Sequence, residues 1–165
     1  MDRLGELALR YFPENNKGDT GFNAHGYWYY SKYLTDQNRK EPLSGEAYWL
    51  LLPKTILADS RSKTFSDQEA MVAAYSGSGY QLPRALEVAS SLLSHYARSQ
   101  ERLYVDEPWT CTRCSDRDED GNPMIVGGFS AAGFFTSISD DEDFSPSGVS
   151  CCWKFLTPGT WYSNP

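Results

Sequence analysis

Two cysteines separated by two residues, Cys111 and Cys114, have the one spacing in this sequence that is typical of a metal site. A CxxC turn lets two thiolates bind the same zinc ion. A complete site needs further ligands, and Cys151 and Cys152, together with one of the two histidines, are the candidates. Zinc is therefore a candidate cofactor, bound by Cys111, Cys114, one of Cys151 and Cys152, and either His25 or His95. Free or buried thiols and a redox pair are the alternatives.

The two later cysteines are adjacent in the sequence, and neighbouring side chains of a regular strand point to opposite faces. Residues 149–156 are predicted to form such a strand. In it, Cys151 shares a face with Val149, Trp153 and Phe155, which is a pattern typical of a buried core. Cys151 and Cys152 could bind one metal only if the strand bulged between them.

The segment YVDEPWTCTRC, residues 104–114, resembles part of the zinc nucleobase deaminases, whose signature is an H-x-E on a helix followed by P-C-x-x-C. The resemblance implies a zinc-dependent, deaminase-like enzyme in which a glutamate shuttles the proton. For a zinc-dependent enzyme in general, hydrolase or deaminase-like, Glu107 or a histidine is the candidate base. It covers about a dozen residues. Two residues separate the proline from the first cysteine, and the chain contains no H-x-E.

Acidic residues are concentrated between positions 106 and 143, where ten of them stand against two arginines, in a chain of net charge −7. Direct binding of nucleic acid through this segment is disfavoured, because phosphates need neutralising cations.

Asp116, Asp118 and Asp120 match the first half of a calcium loop, but Gly127 stands where that loop needs a glutamate. Asp120-Gly121 instead predicts a turn between two strands. The candidate binding residues are six aspartates and two tryptophans of the C-terminal half: Trp109, Asp116, Asp118, Asp120, Asp140, Asp141, Asp143 and Trp153.

Periodicity predicts the elements that position these residues. Helices are expected over residues 3–12, from Ser66, which forms a capping box with Glu69, and from Pro83 to about Gln100, with Leu93 facing the core. Strands are expected at 27–33, 47–52, 103–105, 124–129, 134–138 and 149–156. Helices followed by strands indicate an α+β fold, with N-terminal and central helices packed on a mainly antiparallel sheet built largely from the C-terminal third. The length predicts a single globular domain, residues 1–165.

No run of 18 apolar residues is present, and the acid-bearing N-terminal segment lacks the apolar stretch of a signal peptide, so we expect a reducing, cytoplasmic location. The composition favours a small acidic protein that binds another macromolecule, in an interaction or inhibitor-like role, through its acidic, aromatic C-terminal half. The expected partner is another protein, basic or nucleic-acid-binding, rather than nucleic acid or a membrane. The alternatives are a zinc-dependent enzyme built on Cys111 and Cys114, and a structural or assembly component.

Overall fold

The computed structural model describes residues 10–11, 48–131, 133–139 and 147–156. From residue 48 onward, the described residues contain seven strands and two α-helices. A short 3-10 helix spans Ser76–Ser78. The helices are α1 (Phe65–Ala73) and α2 (Ala85–Ser99). The strands are β1 (Tyr48–Leu51), β2 (Tyr80–Gln81), β3 (Cys111–Arg117), β4 (Pro123–Ser130), β5 (Gly133–Ile138), β6 (Ser147–Val149) and β7 (Cys152–Leu156).

The strands form two sheets. One has three strands in the order β1-β7-β2, and the other has four in the order β5-β4-β3-β6. All neighbouring strands are antiparallel except β3 and β6, which run parallel. The predicted α+β class is confirmed, as is the concentration of strands in the C-terminal half, although two sheets stand where one was expected. The single-domain assignment stays a prediction.

Helix α2 packs its apolar side on the four-stranded sheet. Val88, Leu92 and Leu93 are buried with Met124 and Phe129 in one core cluster, as expected for Leu93. Truncation of such side chains typically costs about 2–5 kcal/mol, so this contact is a major source of stability.

Both helices begin close to their predicted starts, but with different capping residues. Helix α1 is capped by Thr64, whose hydroxyl accepts a hydrogen bond from the Asp67 amide, and not by Ser66. Helix α2 is capped by Arg84, the residue after Pro83, and its backbone N–H donates to Glu87. Each correction moves the boundary by no more than two residues, which is the ordinary uncertainty of a helix end.

Strand β3 is the main element that the sequence did not predict. It runs through the cysteine pair, and its buried side chains include the polar Thr112 and Arg113. The Arg113 guanidinium donates to the carbonyl of Lys63 and to the side chain of Gln68, at 3.1 and 3.0 Å. Because these partners are far away in the sequence, nothing local indicates a buried strand. The strand expected at 103–105 is reduced to one isolated bridge from Val105 to Phe129.

The strand predicted over residues 149–156 is two strands, β6 and β7, that belong to different sheets. The chain passes between them at Ser150 and Cys151, and the Ser150 amide donates to the Thr112 hydroxyl at 2.7 Å. The alternation expected through residue 151 therefore does not hold, and Cys151 shares no strand face with Trp153.

The predicted helix at 3–12 lies outside the described residues except for Arg10 and Tyr11, which are helical. The Tyr11 ring meets the Tyr96 ring edge-on, with 5.9 Å between centroids. The strand predicted at 27–33 also lies outside the described residues. Within the described ranges, no helix is long and apolar enough to cross a membrane.

Candidate binding surface

Four large apolar side chains project from one side of the three-stranded sheet, and we call this set the aromatic face: Trp49, Leu51, Trp153 and Phe155. Their exposed fractions are 60%, 51%, 42% and 44%, so each leaves a large part of its apolar surface in water. Trp49 stands directly opposite Phe155, and Leu51 stands directly opposite Trp153. The set therefore forms two cross-strand pairs on neighbouring strands, which is a contiguous patch.

The alternation of side chains along a strand explains why the face forms. In β1, Trp49 and Leu51 point outward while Tyr48 and Leu50 are half-buried on the other side. In β7, Trp153 and Phe155 point outward while Cys152 is buried. Although Trp153 was also a candidate binding residue, the alternation along residues 149–156 predicted that Trp153 and Phe155 lie in the core. That expectation is wrong, because apolar residues alternate in the same way whichever side of the sheet is covered.

The rings of the face support one another. The Trp153 ring lies 5.7 Å from that of Phe155 and 6.1 Å from that of Tyr80, which stands opposite it on β2. Gly79 lets Trp153 lie there, because it has φ of +83° and a Cβ added to it would come within 2.9 Å of the indole nitrogen. These contacts hold the tryptophan without burying its outer surface.

A buried carboxylate fixes the opposite side of the sheet. Glu87 in α2 accepts a hydrogen bond from the Tyr48 hydroxyl at 2.6 Å and pairs with the Lys154 ammonium at 2.7 Å. Its other oxygen accepts from the backbone N–H of Arg84 at 2.8 Å. Burial, followed by the hydrogen bond to Glu87, raises the pKa of Tyr48, so its hydroxyl stays protonated and donates. Glu87 thus joins β1 and β7 to the start of α2.

The four cysteines are buried free thiols. Burial raises the pKa of Cys111 and of Cys152 to about 12, and it raises the pKa values of Cys114 and Cys151 as well. Because the thiolate is the reactive form of cysteine, burial makes that form unfavourable at neutral pH at all four positions.

The structure gives no support to the candidate zinc site. Cys111 and Cys114 lie three positions apart on β3, where an odd spacing directs side chains to opposite faces. Cys151 lies between β6 and β7, and Cys152 is the first residue of β7. Across residues 48–131, 133–139 and 147–156, no three His, Cys, Asp or Glu side chains are grouped so that they could hold a metal ion.

The predicted acidic binding residues are in different environments. Asp116 is buried, and its carboxylate pairs with the Arg84 guanidinium at 3.0 Å and accepts from the Ala85 amide at 2.6 Å. It stabilises the start of α2, where the helix dipole favours a negative charge, and it is not available to a partner. Asp140, Asp141 and Asp143 lie outside the described residues.

Asp118 and Asp120 form the predicted turn between β3 and β4. Asp118 accepts from the amides of Asp120 and Asn122, at 3.0 and 2.8 Å, and Gly121 has the positive φ, +87°, that the turn requires. Burial acts to raise the pKa of Asp118, but these hydrogen bonds outweigh it and lower the pKa. The turn interpretation is confirmed, and Asp118 is engaged within it.

Trp109 lies two residues before β3 and packs against β4 and β5 of the four-stranded sheet, so it is not part of the aromatic face. Its half-buried ring meets the Phe135 ring edge-on, with 5.5 Å between centroids, and lies over Gly128, where an added Cβ would come within 2.8 Å. Of the five predicted binding residues that the structure describes, Trp153 is therefore the one that lies on the aromatic face. Trp49, Leu51 and Phe155 were missed as surface residues, because an aromatic content of 15% is compatible with a sheet-rich core as well as with a binding surface.

A cleft of about 440 Å³ is lined by Thr55, Ile56, Leu57, Ala58, Asp59 and Arg61. The Arg61 guanidinium donates to the Trp109 carbonyl and the Thr110 hydroxyl, at 2.7 and 2.9 Å. The arginine is thus used to hold the chain before β3, and the cleft presents no set of catalytic side chains.

No protein-family model, no curated protein and no solved structure matches this chain. We therefore infer function from the side chains of the site itself.

Proposed function

We propose that this protein acts by binding another protein through the aromatic face. The observation that carries the proposal is the set of two cross-strand pairs, Trp49 with Phe155 and Leu51 with Trp153, in which every side chain is at least 42% exposed. Contiguous exposed apolar patches are uncommon on proteins that have no partner, and they mark interaction sites. Tryptophan and phenylalanine are also enriched in protein interfaces.

The rigidity of the face supports the same proposal. Trp153 is held by ring contacts with Phe155 and Tyr80, and the sheet beneath it is tied to α2 by Glu87. A surface that is ordered before binding loses less conformational entropy when a partner arrives. The rings of the face are therefore suited to act as the few residues that supply most of the binding energy.

The charge of the chain favours a basic partner. Its net charge is −7, and its isoelectric point is near 4.8. A negative protein attracts basic proteins, including those whose own sites bind nucleic acid, and it repels phosphate backbones and anionic membrane surfaces. We include in the proposal a reducing, cytoplasmic-type compartment, since such compartments keep cysteines as the free thiols seen at all four positions.

Site-specific photo-crosslinking tests the proposal. Benzoyl-phenylalanine replaces Trp49 in one sample and Ser94, an exposed residue of α2, in the matched control. We expect a saturable cross-link to one protein from position 49 and none from position 94. Excess unlabelled protein should suppress it, and excess of the Phe155→Ser variant, checked for native circular dichroism, should not. Equal labelling from both positions, or no saturable product from position 49, would overturn the proposal.

A further inference from the structure

Strand β1 lies at one edge of the three-stranded sheet, and within the described part of the chain it pairs with β7 alone. Its sequence, Tyr48-Trp49-Leu50-Leu51, contains no charged residue and no proline. Proteins usually protect an exposed edge with lysine, proline or a bulge, because unpaired backbone N–H and C=O groups readily accept another strand. β1 has none of these protections within its four residues.

The edge of β1 is continuous with the aromatic face. Trp49 and Leu51 belong to both, so a strand added beside β1 would place alternate side chains directly next to them. One of the two edge strands of the other sheet, β5, differs in this respect, since Phe134 and Thr136 are only 2% and 1% exposed. Backbone pairing and apolar contact therefore coincide at β1.

We infer that β1 receives an extended segment of the protein partner as an added strand, with bulky apolar side chains at alternate positions and a net positive charge. The inference rests on the proposed function and specifies the partner. In this mode of recognition, main-chain hydrogen bonds supply affinity and alternate side chains supply specificity. The net charge of the chain selects among occupants, because a second copy carries the same net charge of −7 and is repelled at long range, whereas a lysine-bearing segment is attracted.

Amide hydrogen exchange of β1 tests the inference, with a synthetic peptide that alternates valine and lysine as the probe. In the free protein, the β1 amides that do not donate to β7 should exchange quickly. At a peptide concentration about ten times its Kd they should slow about tenfold, because only the unbound fraction exchanges. A peptide of the same composition with its valines and lysines in two blocks is the matched control, and it should leave these amides unchanged.

Each other outcome contradicts the inference in a recognisable way. If the outward β1 amides are already slow in a monomer, other residues of this chain pair with the edge. If they slow only as a dimer forms in sedimentation, the occupant is a second copy. If neither peptide binds, or both slow the amides equally, the proposed partner chemistry is wrong. If the alternating peptide binds, depends on Trp49 and leaves the amides fast, strand addition fails while binding at the aromatic face stands.

Discussion

Glu87 in α2 and Lys154 in β7 form an ion pair with 2.7 Å between carboxylate and ammonium, and the Glu87 side chain is only 2% exposed. The same carboxylate oxygen accepts from Tyr48 in β1 at 2.6 Å. One buried group thus links the two longer strands of the three-stranded sheet to the helix that packs on the other sheet. The aromatic face on the outer side depends on this link for its position.

Replacing Glu87 by glutamine tests that link. Lys154 would be left without its counter-charge against a neutral amide, so we expect the free energy of unfolding to fall by about 3 kcal/mol, as for other pairs broken from one side. Urea unfolding followed by circular dichroism measures the change. The control is Glu101→Gln, which removes a pair with Lys54 whose two side chains are 49% and 67% exposed. An equal loss in both variants would show that the Glu87 link has no special role.

Gly79 and Gly77 offer a comparison within one turn. Gly79 has φ of +83° and touches the Trp153 ring, whereas a Cβ added at Gly77 meets nothing within 4 Å. Gly79→Ala should therefore lower the free energy of unfolding by about 1–2 kcal/mol, the cost of a left-handed conformation for a residue with a Cβ. It should also shift the tryptophan emission maximum. Gly77→Ala should change neither, and a similar effect of both substitutions would contradict the account of the turn.

Because its thiols are buried, we expect the protein to have a lower free energy of unfolding in alkaline solution. Burial raises the pKa of Cys111 from 9.0 to about 12. Above about pH 9 the unfolded chain releases this proton while the folded chain keeps it, so the free energy of unfolding falls as pH rises, by up to about 1.4 kcal/mol per pH unit for each such thiol. Below about pH 8 the thiol contributes no pH dependence.

Urea unfolding at about pH 8 and about pH 10 measures this decline in the native protein and in Cys111→Ala. The variant should lose less stability between the two pH values, because one of the linked protons is gone. An identical loss in both proteins would mean that Cys111 titrates in the same range whether the chain is folded or unfolded.

The fold class was predictable because α2 and the turn at Asp118 carry local signals. The periodic apolar residues of α2 and the Asp-Gly of the turn act over a few positions. Strand β3 was not predictable, because Arg113 is satisfied by partners at positions 63 and 68 that only the fold brings near. The aromatic face was missed for a related reason. Period-2 alternation shows that Trp153 and Phe155 share a side, but it cannot show which side of the sheet another element covers.

The acidic run at positions 140–143, which lies outside the described residues, carries a prediction from the sequence. Replacing Asp140, Asp141 and Asp143 by asparagine should slow association with the partner more than it speeds dissociation, since peripheral charges mainly set the encounter rate. Surface plasmon resonance at low and high salt measures both rates. The difference from the native protein should shrink as salt screens the charges. Equal association rates at every salt concentration would show that the run acts only to keep the protein in solution.

The affinity of the Trp49→Ser variant for the protein cross-linked at position 49 tests the central claim most directly. Trp49 is the most exposed large side chain of the aromatic face, so its replacement should weaken binding at least about thirtyfold, the size of a hot-spot residue. Tyr75→Ser is the matched control, because Tyr75 is an aromatic residue 51% exposed outside the strands of the face, and it should change Kd by less than about threefold. Calorimetry gives both values. Equal affinities of Trp49→Ser and the native protein would contradict the account.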